Sequence, residues 1–330
     1  MYFHPSFFLF MFFLVFSTVM MVSVNSWFLI WFFIEMNLLS FIPLMLMNKS
    51  KFSTESGLKY FFVQTFSSIL ILIGFMLMFI NLTLYNFFFF VGLSIKLGLA
   101  PFHQWVVNLV DSLTWELVGV LFTLQKVGPF VLLSYMCMLK PSVINLIYLF
   151  SLMSAIVGAL GGLFTSSLRK ILVFSSISHG AWMLLALMNS IYLWVVYFVF
   201  YSLILLSVLY ILGVFNLSSL NHLFLKVNFF GSLSLGVSLL SMGGMPPLSG
   251  FLPKFVLMMD LMRTFNYFLL GFLLFSVFIS LFFYSRMFIM NFIYLSNKNM
   301  FLGYKKNKGN LSLYLNMFGG ALTPLFLYIY

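Results

Sequence analysis

The chain has 330 residues, of which 63% are hydrophobic and 6% are charged. A soluble domain of this length uses about 25% charged residues to cover its surface, so this composition excludes a soluble protein and indicates a membrane protein. The net charge of +11 comes from basic residues scattered near predicted helix ends. Such scatter is typical of membrane topology and contact with anionic lipid, and it argues against nucleic-acid binding.

The apolar runs are long and continuous, which predicts membrane-spanning helices. Strands of a transmembrane β-barrel would alternate apolar and polar residues, so a barrel is excluded. Since about 20 apolar residues cross the hydrocarbon core, the sequence predicts an all-α polytopic membrane protein with about eleven transmembrane helices. The first run has no basic segment before it, so we expect a retained span instead of a cleaved signal. In chain order the predicted helices are 5–24, 26–47, 57–80, 84–108, 113–138, 142–166, 170–188, 190–214, 228–262, 265–292 and 309–330.

Lysine and arginine residues in the short loops predict the orientation of the chain. With eleven spans, most of these residues fall on the N-terminal side, and only Lys140 and Arg263 fall on the other. We therefore expect the N-terminus to face the positive-inside compartment and the C-terminus to face the opposite one. The basic residues on the N-terminal side are Lys49, Lys51, Lys59, Arg169, Lys170, Lys226, Lys298, Lys305, Lys306 and Lys308.

Glycine and proline interrupt two of the predicted spans. The fourth contains GLAPFH, Gly98–His103, next to Lys96, and the ninth contains GMPPLS, Gly244–Ser249, next to Lys254. Transporter folds often consist of inverted repeats with a broken helix at the corresponding place of each. We therefore predict a single membrane domain over 1–330, with one broken helix in each of two inverted halves. The halves cover approximately 5–138 and 142–292, and a C-terminal helix covers 309–330.

An ionisable side chain inside a span is unfavourable in lipid and is a functional candidate by default. Glu35 lies at the centre of the second predicted helix, with no Lys or Arg one turn away. Its partner must therefore come from another helix, and Lys96 is the natural choice because it also lies mid-span without a local counter-charge. In such a pair each group can release or accept a proton when its neighbour moves. A buried ion pair that only fixes helix packing is the alternative.

Lys126 and Lys254 extend this set, and one glutamate cannot neutralise three buried lysines. At least one lysine is therefore expected to be neutral or hydrated in a polar channel. Pro101 lacks an amide hydrogen, so we expect internal water at the carbonyls it frees, and a similar opening at Gly128–Pro129.

His103 lies seven residues after Lys96, about two helical turns, so the two are expected to face one water chain. His179 lies within the seventh span. For each histidine, a hydrogen-bonded packing role is an equal alternative to proton transfer. Arg286 is near a helix end, where its side chain can reach the interface, and Asp111 and Glu116 are expected to be interfacial. GALGGL, Gly158–Leu163, predicts close helix packing.

The sequence contains no pattern that would hold a redox group or a metal. It has one cysteine, Cys137, no pair of histidines at ligand spacing, no Walker loop and no GxGxxG opening a helix. We therefore expect no cofactor and no metal in this chain.

Six segments occur in a characteristic order: WFFIEMNLLSFIPLM, ESGLKYFFVQTFSS, KLGLAPFHQW, TLQKVGPF, GGLFTSSLRKILVFSSISHGAWM and GGMPPLSGFLPK. Together they closely resemble the subunit 2 family of mitochondrial NADH:ubiquinone oxidoreductase (respiratory complex I) in its short animal form. The resemblance is strongest over 27–190 and 241–262. It implies an antiporter-like subunit of the membrane arm, in which the animal members lack the first three of fourteen helices.

The resemblance also implies site residues. Glu35 is similar to the family's glutamate that pairs with a lysine, and Lys96 to that lysine on a broken helix. Lys126 resembles the central relay lysine, and Lys254 the lysine of the second broken helix. Quinone reduction elsewhere in the complex would shift the Glu35–Lys96 pair and move a proton along the row. The sequence departs from the family at Val107-Asn108, where a proline and a glutamate are usual, and Asp111 is the nearest candidate to replace that glutamate.

The family implies a mitochondrial inner membrane protein with a matrix N-terminus and a C-terminus in the intermembrane space. Its partners would be other membrane-arm subunits and anionic lipid such as cardiolipin. The whole complex would use FMN, iron-sulfur clusters, NADH and ubiquinone, none of them bound by this chain. Two alternatives stay open: a free-standing cation/proton antiporter, and a structural membrane subunit that does not pump.

Overall fold

The structure is a computed structural model that describes residues 5–47, 50–79, 84–139, 142–220 and 229–296, together with 313, 316 and 317. Over these residues the chain is helical, apart from turns and an isolated bridge between Ser167 and Ser219. The helices are α1 (Pro5–Ser23), α2 (Trp27–Leu46), α3 (Lys51–Phe79), α4 (Tyr85–Leu97), α5 (Gln104–Val110), α6 (Trp115–Phe122), α7 (Leu124–Leu139), α8 (Ser142–Phe164), α9 (Leu168–Asn189), α10 (Ile191–Phe215), α11 (Phe229–Gly243), α12 (Phe251–Arg263) and α13 (Tyr267–Ser296).

The described residues include eight helical segments that are long and apolar enough to cross a membrane. This confirms the prediction of an all-α, multi-pass membrane protein. The number eleven stays a prediction, because the last predicted helix, 309–330, lies mostly outside the described residues, as do Lys49, Lys140, Lys226 and the lysines from 298 to 308.

Helix α3 begins at Lys51, six residues before the predicted position 57. The reason is a reciprocal cap: the amide of Ser50 donates to the Ser53 hydroxyl, and the amide of Ser53 donates to the Ser50 hydroxyl. These bonds satisfy amides that the first turn of a helix leaves without partners, so polar residues can extend the helix beyond its apolar part.

The chain forms two compact units, Met1–Phe150 and Ser151–Tyr330. In the first unit, α3 packs closely against α4 because glycines leave space between their backbones. A Cβ added at Gly92 would lie 2.9 Å from the carbonyl oxygen of Ser67, and one added at Gly74 would lie 2.8 Å from the Phe89 ring. Without a hydrophobic driving force between helices in lipid, such close approach supplies much of the attraction. The boundaries of the predicted inverted halves stay a prediction.

In the second unit, α9 is the most deeply buried of the candidate spans in the described residues, with 83% of its apolar window inside the protein. The glycines of GALGGL lie against neighbouring helices, as predicted. A Cβ at Gly158 would lie 2.6 Å from the amide nitrogen of Ser178, and one at Gly162 would lie 2.7 Å from the Phe283 ring. Both positions therefore need the smallest residue.

The two predicted broken helices are confirmed. Helix α4 ends at Gly98, whose φ is +67°, and the chain becomes helical again at Gln104. Helix α11 ends at Gly243, Gly244 follows with a φ of +84°, and helix α12 begins at Phe251. Glycine adopts these left-handed angles without a steric penalty, so each first half-helix can stop abruptly.

A third interruption lies where the sequence predicts a continuous helix from 113 to 138. Helix α6 ends at Phe122, and Thr123 has φ −112° and ψ −81° before α7 begins. The Thr123 hydroxyl donates to the carbonyl oxygen of Gly119 at 2.7 Å. The opening expected at Gly128–Pro129 agrees with the structure: Pro129 lies inside α7, and both residues line a small cavity in the first unit. Pro129 also deprives the Gln125 carbonyl of its usual helical donor, which weakens the same region.

Candidate functional site

Lys96 lies in the last turn of α4, next to the first break. Its Nζ donates to the side-chain oxygen Oε1 of Gln64 on α3, at 3.3 Å. Gln64 is itself buried, with 5% of its surface exposed. A neutral amide thus solvates the ammonium group directly. Sequence reasoning missed Gln64, since nothing in its own helix distinguishes it from the other small and polar residues there.

A small cavity of about 20 Å³ of water-sized space lies against Lys96 in the first unit. One water needs roughly 10–15 Å³ of such space and two to four polar partners, so the cavity has room for a water molecule. The side-chain amide nitrogen of Gln125 in this wall is buried and has no acceptor in the described part of the chain. The polar side chains in the wall are Thr18, Asn37, Tyr60, Gln64, Lys96 and Gln125.

Glu35 lies half-buried on α2, close enough to Lys96 for its charge to act on the ammonium group. Among the described residues, no ion pair shorter than 4.0 Å joins the two side chains. The neighbours of Glu35 in the chain, Ile34 and Asn37, line the Lys96 cavity. The two side chains are therefore not in direct contact as an ion pair, and their function as a pair stays a prediction.

Lys126 is the third residue of α7 and lies directly after the interruption at Thr123. Only 6% of its surface is exposed, which agrees with the prediction of a buried lysine. Its Nζ lies 5.8 Å from the centroid of the Phe122 ring, within the range of a cation–π interaction.

The first break is held by side chains. The indole Nε1 of Trp105 donates at 3.0 Å to the carbonyl oxygen of Ile95, which also accepts from the Gly98 amide at the end of α4. His103 lies in the break, and its Nδ1 is 3.1 Å from the carbonyl oxygen of Pro101. The two-turn spacing expected between Lys96 and His103 is wrong, because residues 98–103 are not helical. His103 also does not line the Lys96 cavity.

In the second unit, Lys254 holds the corresponding break. It lies in the first turn of α12 and is 4% exposed. Its Nζ donates to the carbonyl oxygen of Gly243 at 2.8 Å and lies 3.4 Å from that of Met242. These carbonyls end α11, where the helix dipole also favours a cation. A Cβ at Gly244 would lie 2.9 Å from the Lys254 Cδ, so the glycine leaves room for the lysine.

His179 on α9 is buried, and its Nδ1 lies 2.9 Å from the phenol oxygen of Tyr197 on α10. Its ring also lies 5.1 Å from the ring of Tyr201, centroid to centroid. The contact lets Tyr197 either donate to the Nδ1 of His179 or accept from it, depending on which ring nitrogen carries the hydrogen. The sequence did not predict that Tyr197 and Tyr201 contact His179, since aromatic residues at helical spacing are common in any apolar helix.

The remaining charged residues divide into buried and exposed groups. Asp260 on α12 is 9% exposed, with an oxygen 3.8 Å from an Arg263 nitrogen, and sequence reasoning overlooked it because it lies near a predicted helix end. Arg286 donates to the carbonyl oxygens of Leu163 and Thr165, at the end of α8. Asp111 and Glu116 are exposed. Within the described residues, no three His, Cys, Asp or Glu side chains form a group that could hold a metal ion.

Comparison with known proteins identifies close relatives. The family described as "NADH:quinone oxidoreductase/Mrp antiporter, TM" matches residues 24–280. A relative from Anopheles gambiae, named NADH-ubiquinone oxidoreductase chain 2, is 39% identical over 341 residues, which cover 97% of each chain.

Solved structures agree in fold. A chain of respiratory complex I from Thermus thermophilus superposes with a TM-score of 0.81 at 21% identity, covering 97% of this chain and 80% of that one. A chain of the Mrp complex from a Dietzia species gives a TM-score of 0.72 at 15% identity, covering 82% of this chain and 57% of that one.

Proposed function

Because the chain belongs to the NADH-ubiquinone oxidoreductase chain 2 family of antiporter-like membrane proteins, we propose that it is a core, proton-translocating subunit of the membrane arm of respiratory complex I. NADH oxidation and quinone reduction in other subunits supply the energy. Those subunits would carry the FMN and iron-sulfur clusters, and this chain would contribute to the enzyme without a redox site of its own.

The observation that carries the proposal is the placement of Lys96. An ammonium group inside a membrane is strongly disfavoured unless it is solvated or paired. Lys96 has a neutral amide as its hydrogen-bond acceptor, a cavity with room for water, and a carboxylate within electrostatic range. These contacts offset part of the cost of burying the ammonium group, and the cavity gives the lysine a route for releasing a proton.

The proposed step in the first unit follows from these contacts. While the Glu35 carboxylate is charged and near, it keeps the proton on the Lys96 Nζ. When the carboxylate takes up a proton, Lys96 transfers its own proton to a water in the cavity and becomes neutral. Lys126, on the helix that also supplies Gln125 to the cavity wall, is the proposed acceptor. A proton returning from Glu35 would recharge Lys96.

In the second unit, Lys254 and His179 are the proposed proton carriers. Lys254 is held by two backbone carbonyls without a carboxylate, which allows it to lose its proton without leaving an unpaired negative charge. His179 can take a proton on Nδ1 and release one from Nε2, provided that Tyr197 turns its hydroxyl. His103 is a secondary candidate within the first break.

Family membership also supports a location and partners. We place the chain in the mitochondrial inner membrane, with the N-terminus on the matrix side and the C-terminus in the intermembrane space. Its partners are other complex I membrane-arm subunits and anionic lipid such as cardiolipin, without nucleic acid. A free-standing cation/proton antiporter is less favoured, because this chain spans 57% of its Mrp neighbour but 97% of its chain 2 relative.

The test uses assembled complex I carrying Lys96→Met, reconstituted into sealed vesicles. We expect fewer protons pumped per NADH oxidised, while the complex still assembles on a native gel. Lys59→Met is the matched control, because Lys59 is exposed and pairs with Glu55. Normal pumping by Lys96→Met would show that Lys96 has a structural role and takes no part in proton transfer.

A further inference from the structure

Asn316 joins three segments around the second break. Its side-chain nitrogen Nδ2 donates to the hydroxyl of Ser207 on α10 at 3.1 Å, and its side-chain oxygen Oδ1 accepts from the hydroxyl of Ser241 on α11 at 2.8 Å. Its backbone carbonyl accepts from the amide of Ser249, inside the break, at 3.1 Å. Asn316 is 1% exposed, so none of these bonds competes with solvent.

The hydroxyl groups of Ser207 and Ser241 can both form hydrogen bonds with the side-chain amide of Asn316. The Ser207 hydroxyl donates its single hydrogen to the carbonyl oxygen of Ile204, so it can only accept from Asn316. The Ser241 hydroxyl lies within donating distance of Asn316 Oδ1 and of the Ser238 carbonyl oxygen. Ser207 therefore needs a donor from Asn316, and Ser241 can give its hydrogen to an acceptor there. An amide supplies both, whereas a charged aspartate supplies only acceptors.

The same contacts reach Lys254 through the last turn of α11. Ser241 is followed directly by Met242 and Gly243, whose carbonyls accept from the Lys254 Nζ. The far side of the break returns to this turn, because a Cβ added at Gly250 would lie 1.7 Å from the Ser241 carbonyl oxygen. Asn316 therefore holds Ser241, in the last turn before the break, and Ser249, near the end of the break.

We propose that Asn316 is a positioning residue for Lys254. By fixing Ser241 and Ser249 together, it keeps the Met242 and Gly243 carbonyls where they hold the lysine ammonium group. The inference rests on the proposed function of Lys254 in proton transfer, and it adds a role for a residue far from Lys254 in the chain.

The test combines Asn316→Leu, which is similar in volume but loses the side-chain bonds to Ser207 and Ser241, with Lys254→Met in assembled complex I. The readout is the number of protons pumped per NADH in sealed vesicles. If Asn316 acts through Lys254, Asn316→Leu lowers pumping alone but adds nothing in the Lys254→Met background. Further loss in the double variant would overturn the proposal, because a purely structural defect is independent of Lys254. Asn266→Leu, at the end of α12, is the matched control.

Two additional measurements keep the outcomes distinct. A cryo-EM structure of the Asn316→Leu complex should show the Lys254 Nζ displaced from the Gly243 carbonyl, and an unchanged 2.8 Å contact would contradict positioning. The cryo-EM measurement tests the positioning of Lys254 whether or not Lys254→Met changes pumping. Normal pumping by Lys254→Met would instead refute the proton-transfer role of Lys254. If Asn316→Leu fails to assemble, Ser241→Ala, which removes the hydroxyl that bonds to Asn316 Oδ1, replaces it in both measurements.

Discussion

The Lys254 ammonium group lies 2.8 Å from the carbonyl oxygen of Gly243, so a cation from the second half of a broken helix caps the first half. At the first break, the Trp105 indole donates to the carbonyl oxygen of Ile95, the position that a lysine takes at the second break. Lys96 donates instead to the side chain of Gln64. The two lysines therefore stand next to similar breaks with different partners. One contacts backbone carbonyls, and the other contacts a side chain and a cavity.

Gly244→Ala is expected to impair pumping by crowding Lys254. The substitution puts a side chain at φ +84°, with its Cβ 2.9 Å from Lys254 Cδ and 3.1 Å from Nζ. Strain of this kind costs on the order of 1 kcal/mol or more. Proton pumping and thermal stability of the assembled complex measure the effect. Gly271→Ala is the control, since nothing lies within 4 Å of its added Cβ, and equal behaviour of the two variants would contradict the prediction.

Gly250→Ala is expected to prevent normal folding of the second break. An added Cβ would lie 1.7 Å from a backbone oxygen, which no side-chain movement can relieve. We expect the amount of assembled complex on a native gel to fall well below that of Gly271→Ala. Normal assembly would mean that the two sides of the break lie farther apart than the structure shows.

Gln125→Leu is expected to reduce proton pumping by drying the Lys96 cavity. The buried Gln125 amide nitrogen has no protein acceptor in the described residues, and buried donors of this kind are usually satisfied by ordered water. High-resolution cryo-EM of the unaltered complex should show a water within hydrogen-bonding distance of both Gln125 and another polar group of the wall. A dry cavity, or unchanged pumping in the variant, would disprove this role.

Tyr197→Phe removes the phenol that bonds to His179 Nδ1 and leaves the ring in place. Loss of one buried hydrogen bond costs about 0.5–1.5 kcal/mol, so the complex should assemble while His179 loses its preferred hydrogen position. We expect fewer protons pumped per NADH. Tyr192→Phe, at an exposed tyrosine of the same helix, serves as the comparison. If both variants pump at the same ratio, His179 is a packing residue.

The two helix breaks could be predicted from the sequence, because glycine and proline change the backbone conformation of the segment in which they lie. The burial of Lys126 and Lys254 was predictable for a similar local reason, since each lies within a long apolar run. In contrast, the contact between Lys96 and Gln64 depends on how α3 and α4 rotate against each other. Helices that are apolar on all sides show no periodic face from which that rotation can be inferred.

Two errors have physical causes. The expected alignment of Lys96 with His103 assumed helical geometry through residues that the break removes from the helix. The interruption at Thr123 was missed, because no glycine or proline lies at residues 120–127 to mark it. The contacts of Asn316 could not be predicted from the sequence, because its partners Ser207 and Ser241 lie far away in the chain.

The Lys96 cavity also sets a limit on ion selectivity. About 20 Å³ holds a single water, and the wall near Lys96 offers neutral amides in addition to one positive charge. A sodium ion would have to shed most of its hydration shell and approach the ammonium group without enough oxygen ligands in return. A proton needs only a chain of hydrogen bonds. A proton path through this cavity, as proposed, should therefore reject metal cations, and replacing sodium by choline in the bathing buffer should leave pumping unchanged.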